Sequence, residues 1–225
     1  MHTSTLVNPV ITLWIAASLT FLFYFIAGRN AKLAPAGIQN LAEMIIGFFK
    51  DEVASMLGEN SSKWLPFILA LFTFILIGNL LGLIPGLGAP TSNINVTAGL
   101  AIVIFLLTHF MGIMEHGLIK YLRSFIPEGI PLPIVFFLIP IELVSQLARP
   151  FSLAVRLFAN MFAGHTVAIT LITLIFFFKS YLIVPFPIIG NLAVSLFEIF
   201  AALIQAYIFT FLATLYISSA IEGEH

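Results

Sequence analysis

Residues 134–178 read IVFFLIPIELVSQLARPFSLAVRLFANMFAGHTVAITLITLIFFF, an almost unbroken apolar run with two arginines, Arg149 and Arg156, set inside it. As one helix this stretch extends about 67 Å at 1.5 Å per residue, whereas a bilayer's hydrocarbon core is only about 30 Å thick. It cannot stand upright as a single straight span. Either it divides near Pro150, whose ring opposes a continuous helix, or it lies strongly tilted in the membrane, and the reading adopted is strong tilt. The last run, Pro187 to about Ile221, would reach about 52 Å and calls for the same treatment. The two are joined by the short link from Lys179 to Phe186.

Outward from this pair, composition fixes the solvent. The 225-residue chain is 60% hydrophobic and 8% charged, with a mean hydropathy of +1.12, against roughly 25% charged residues in an ordinary soluble domain. Lipid must replace water over most of its surface. A formal charge of -1 gives no basic footprint for nucleic acid. The absence of cysteine removes disulfides, thiolate metal sites and thiol catalysis.

The chain reads as one polytopic membrane domain, 1–225, of the all-α class. Residues 9–27 form a first spanning helix, read as retained because its N-terminal flank carries no Lys or Arg. Residues 35–57 alternate Ile38, Leu41, Ile45, Phe48 and Phe49 with Glu43, Lys50, Asp51 and Glu52, which suits an interfacial amphipathic helix. Residues 64–112 make a helical hairpin whose turn carries Asn93, Asn95 and Thr97, Glu115 to Glu128 reads as a loop, and residues 134–221 are the long tilted pair. Five crossings with the N-terminus outside put Arg29, Lys32, Lys50, Lys63, Lys120 and Arg123 in the cytoplasm with the C-terminus, and Lys179 outside.

Arg156 carries the most information, because a charge deep in an apolar helix costs from about 2.5 to more than 10 kcal/mol depending on the reference. It is either used functionally or held in a structural ion pair or by snorkelling. At about 100° per residue Glu142, Arg149, Arg156 and Asn160 share one face, while His165 falls opposite the arginine. On the last helix Asn191, Glu198 and Gln205, spaced by sevens, make a second polar stripe. An acid and an imidazole, Glu198 and His165, suit proton exchange; the other reading is an ion pair that only holds two helices together. Asn79 and Asn95 either line a water path or bond neighbouring helices. His109 and His116 read as interfacial. Metal-ligand spacings, phosphate loops and nucleophile elbows are absent from the sequence, so neither metal nor direct nucleotide binding is expected.

The segment Pro140-Ile141-Glu142, then Arg149 through His165, resembles the signature of the a-subunit family of F-type ATP synthases. Glu198 with Gln205-Ala206-Tyr207-Ile208-Phe209 seconds it, and Asn79 to Pro85 and Asn93 to Thr97 support it more weakly. The resemblance implies a non-catalytic stator facing a rotating ring of c subunits, tied to peripheral-stalk b subunits, with one aqueous half-channel from each side of the membrane. In that family the arginine falling on Arg156 faces the ring carboxylates as an electrostatic gate. Asn160 and Gln205 would then lie near the gate and His165 and Glu198 in the outer half-channel, with Glu142, Asn79, Asn95 and Asn191 as further lining. In some members the acid and the histidine stand exchanged between the positions of His165 and Glu198, which suggests that the pair matters as a unit. The ion would be H+, with Na+ left open, no cofactor is implied, and a chain without a transit-like extension points to a bacterial inner membrane. Rival readings are a secondary transporter, disfavoured by the lack of an internal repeat, a purely structural subunit, and an intramembrane enzyme without a nucleophile constellation.

Overall fold

The computed structural model describes residues 8–29, 32, 37–84, 87–124, 132–178 and 185–222, without the side chains at 122–124, 132, 133, 143, 165, 175, 176 and 178. Among the described residues there are seven α-helices and no strand. They are α1 (Pro9–Arg29), α2 (Ile38–Leu57), α3 (Ser61–Leu81), α4 (Ile94–His116), α5 (Leu118–Ser124), α6 (Leu132–Phe178) and α7 (Pro185–Glu222). Five helical stretches are long and apolar enough to cross a membrane: Pro9–Arg29, Ile38–Leu81, Ile94–His116, Ile134–Leu174 and Pro185–Glu222. The protein is therefore an all-α integral membrane protein, since only helices satisfy every backbone group within one segment in lipid.

The helix ends follow local chemistry. Asn93 caps α4, its side chain accepting from the Asn95 backbone N–H at 2.9 Å, as a short amide before a helix is suited to do. Gly117, at φ 78°, stops α4 in a conformation that side-chain-bearing residues avoid. The chain then turns back as α5, a helix within the stretch expected to be a loop. Pro140 and Pro150 both lie inside α6, which runs on through them for 47 residues. At 1.5 Å per residue that is about 70 Å, more than twice the hydrocarbon thickness.

The core forms where α2, α3, α4, α6 and α7 converge. α2 turns Ala42, Phe49, Val53 and Leu57 inward and leaves Glu43, Lys50 and Asp51 exposed, the division expected of an amphipathic helix. On α7 the inward stripe is built from small residues, Ala202, Ala206, Ala213 and Ala220, interleaved with Phe209 and Ile217, all essentially inaccessible. Small side chains let membrane helices approach closely, where packing rather than hydrophobicity holds them together. α6 answers with Leu153, Ala154, Leu157 and Met161. Polar latches supplement the packing. Tyr24 of α1 donates to the Leu69 carbonyl of α3 at 3.2 Å, and its hydroxyl lies 2.8 Å from that of Thr73.

α2 is fastened to α7 at two points. The Tyr207 hydroxyl donates to Glu52 Oε1 at 2.6 Å, and the Ser218 hydroxyl donates to the Met56 carbonyl. The Tyr207 ring also meets the rings of Phe48 and Phe49 edge-on or tilted. A surface helix is thus seated along the flank of the helix that carries Glu198 and Gln205.

Candidate functional site

The site is the seam between α6 and α7. The two helices run antiparallel, and two contacts fix their register. Asn160 Nδ2 donates to the Ala201 carbonyl at 3.4 Å, and Gly164 lies against the Glu198 carboxylate. One turn forward on α6 is therefore one turn back on α7, and one turn in the opposite sense from Asn160 and Ala201 sets Arg156 level with Gln205. The sevenfold spacing of Asn191, Glu198 and Gln205 thus acquires a partner helix whose polar positions fall at matching heights.

Glycine at 164 makes this register possible. A Cβ built there would lie 2.7 Å from both Cγ and Cδ of Glu198 and closer still to Oε1. Glu198 is 7% exposed and Gln205 is 6% exposed. The backbone of His165 follows Gly164 in the same helix and so sits at the height of Glu198. Its side chain lies outside the described residues. Asn191, two turns before Glu198 in α7, has its Oδ1 sealed from solvent with no hydrogen-bond partner among the described residues.

Arg156 differs from all of these. Its neighbour Leu157 is fully buried, yet Arg156 itself is exposed, on the outward face of α6 beside Val155. Among the described residues it has no hydrogen-bonded or ion-paired partner, so the structural ion pair considered for it has no counterpart here. Around it α6 and α7 present Phe151, Val155, Leu196, Phe200 and Leu203 outward. A guanidinium in an apolar surface is strongly penalised unless it meets a partner from outside the chain or reaches the interface by snorkelling.

The remaining sequence candidates distribute around this seam. Glu142 accepts from Gln146 Nε2 at 2.8 Å. Arg149, on the same side as Glu142, places its guanidinium 5.4 Å from the centre of the Tyr216 ring, a cation–π distance. Asn79, 1% exposed, accepts from the Thr91 hydroxyl at 2.7 Å and donates to the Ala202 carbonyl at 3.3 Å, so it ties the α3–α4 turn to α7. Asn95 is exposed at the start of α4. Gln146, Tyr207, Tyr216 and the close approach at Gly164 were not singled out from sequence. Gln146 had a signal, standing four residues after Glu142 and three before Arg149. Among the described residues no cluster of three His, Asp or Glu side chains could hold a metal ion.

These features define a polytopic helical membrane protein whose polar groups are concentrated along one helix pair, with an unpartnered arginine on its open face. A family model described as ATP synthase A chain matches residues 10–218. The chain belongs to that family. It is 41% identical to ATP synthase subunit a of Chloroherpeton thalassium over 98% of this chain and 68% of the relative. It is 38% identical to ATP synthase subunit a of Rubrobacter xylanophilus over 96% of this chain and 84% of the relative. Against the subunit of the same name in Rhodospirillum rubrum, identity is 39% over 96% and 88%.

Proposed function

We propose that this chain is the non-catalytic stator of the proton path in an F-type ATP synthase, with Arg156 as its electrostatic gate. The observation that carries the reading is the exposure of Arg156, without a partner, between two polar groups on one seam. Glu198, Asn160 and Asn191 lie toward one end, and Arg149, Gln146 and Glu142 toward the other. A guanidinium with a pKa above about 12 cannot relay protons, but it favours the ionised form of any carboxylate brought beside it. A carboxylic acid on a moving partner therefore releases its proton on reaching Arg156 and cannot carry it past, which keeps the two polar groups from being joined by a leak.

On this reading the c-subunit ring covers the open face of α6 and α7, and the peripheral-stalk b subunits hold the chain still. Glu198 and His165 exchange protons in the half-channel open to the outside, with Asn191, Asn79 and Asn95 toward that entrance; Gln205 and Asn160 position the gate, and Glu142 belongs to the inner route. The N-terminus faces outward and the C-terminus the cytoplasm of a bacterial inner membrane. The driving force is about 2.3 kcal/mol per charge per 100 mV, so several protons must pass per ATP. The transported ion is H+, a choice between H+ and Na+ that the ring carboxylate would set.

The test is ATP-driven proton pumping, with passive leak recorded alongside, in vesicles holding the assembled complex with Arg156→Ala. Pumping is expected to vanish with assembly intact. Retained pumping would make Arg156 structural and overturn the gate.

A further inference from the structure

A second polar group stands away from Glu198, at the other end of the α6–α7 seam. A cavity of about 10 Å³ opens between α4, α6 and α7, lined by Thr108, His109, Gln146, Arg149 and Tyr216 and ending on Leu153, three residues short of Arg156. That volume is about one water molecule, and the polar lining supplies the several hydrogen-bonding partners a buried water needs. Gln146 and Thr108 are both buried. The Thr108 hydroxyl is already committed to the Ile104 carbonyl at 2.8 Å, so the exchangeable groups are those of His109, Gln146, Arg149 and Tyr216.

His109 is held in place at this cavity. Its ring lies tilted against that of Phe105 with centroids 4.1 Å apart, and its Nδ1 lies 3.4 Å from the Tyr121 hydroxyl. Tyr121 reaches it because α5 folds back over α4 at Gly112. A Cβ on Gly112 would stand 2.7 Å from Tyr121 Cδ2 and 2.9 Å from Cζ, so only glycine lets the ring lie there. The Tyr121 ring is buried against α4. Among the described residues, Arg149 of α6 and Tyr216 of α7 line the same cavity as His109, Tyr121 of α5 meets its ring, and Glu142 reaches the cavity through Gln146; Lys120 is exposed, and Glu115 and His116 lie further along α4.

We infer that this cavity is a hydrated proton station in which His109 takes up and releases the proton on the Arg149 side of Arg156. The inference rests on the proton-path reading above and names the titrating residue of its inner half. Imidazole is the side chain that changes charge between about pH 5 and 8. Each passage leaves His109 neutral again: the imidazole nitrogen binds a proton from water on the cytoplasmic side and returns one to the cavity water that faces Leu153, or the reverse when ATP is made.

The experiment uses the assembled complex in vesicles and follows ATP-driven pumping against the pH of the nucleotide side, for the parent, His109→Gln, Tyr121→Phe and Arg156→Ala. His109→Gln keeps a polar side chain of similar reach but cannot titrate. Its pumping is expected to fall roughly tenfold, less than the 10²–10⁴ of an indispensable proton-transfer group because cavity water still offers a slower route. The parent is expected to show an inflection between about pH 5 and 8 that His109→Gln lacks, and Tyr121→Phe to move that inflection without abolishing it. Unchanged rate and profile in His109→Gln, with pumping still lost in Arg156→Ala, overturns this inference alone. Retained pumping in Arg156→Ala overturns the reading beneath it as well.

Discussion

Gly164 of α6 and Glu198 of α7 meet so closely that the carboxylate occupies the space a side chain at 164 would need. The buried acid of the seam is therefore positioned by the absence of a neighbour's side chain.

Replacing Gly164 by Ala tests this. Alanine is favoured over glycine in a helix by about 1 kcal/mol, whereas overpacking a tight contact costs about 1–3 kcal/mol. Global stability should thus change little, while Glu198 is forced out of register with Asn160 and Gln205. The expected result is an assembled complex with near-parental thermal stability and strongly reduced proton pumping. Parental pumping in Gly164→Ala would show that the position of Glu198 does not matter.

Asn79 supplies a stability prediction. It bridges Thr91 and the Ala202 carbonyl from a fully buried position, and its removal leaves the Thr91 hydroxyl unpaired. Asn79→Ala should cost about 1–3 kcal/mol, and Thr91→Val added to it should cost little more, since removing both partners of a buried bond is milder than stranding one. Thermal unfolding of the four proteins of this cycle in detergent gives the coupling, and strict additivity would refute the bridge.

Tyr121 gives a pH prediction. Burial pushes its phenol above the ordinary value of 10, with the Arg149 cation partly offsetting the rise. The unfolded chain, with the lower value, loses this proton first, so the stabilisation is complete below about pH 10 and is lost as pH rises above it. Stability should fall more steeply above about pH 10 in the parent than in Tyr121→Phe. Parallel slopes in alkaline unfolding curves would argue against a buried phenol.

Much of this architecture was legible before any coordinates. The apolar length of 134–178 exceeds a bilayer so clearly that a long α6 followed, and the structure carries it through Pro150 without a break. The sevenfold spacing on α7 singled out Glu198 and Gln205, both buried, whereas Arg156, in the same spacing on α6, lies exposed. α5 was hidden because Leu118–Ser124 makes only two turns, too short for a period to emerge, and carries Lys120 and Arg123. The pairing of Glu52 with Tyr207 was equally hidden, since nothing local relates two residues so far apart. The match of Arg156 to Gln205 depends on the register set at Gly164, which no pattern on one helix reveals.

The two fastenings between α2 and α7 join residues 155 and 162 positions apart. A ribosome adding about 5–20 residues per second needs roughly 8–30 seconds to make that interval. Through it the apolar stripe of α2 has only α1 and α3 to pack against, while the Glu52 carboxylate and the Met56 carbonyl lack the α7 hydroxyls that will finally donate to them. Its amphipathic pattern therefore serves two hosts in succession: its nearest helices together with the bilayer surface while the chain is being threaded in, and the flank of α7 once the last helix arrives.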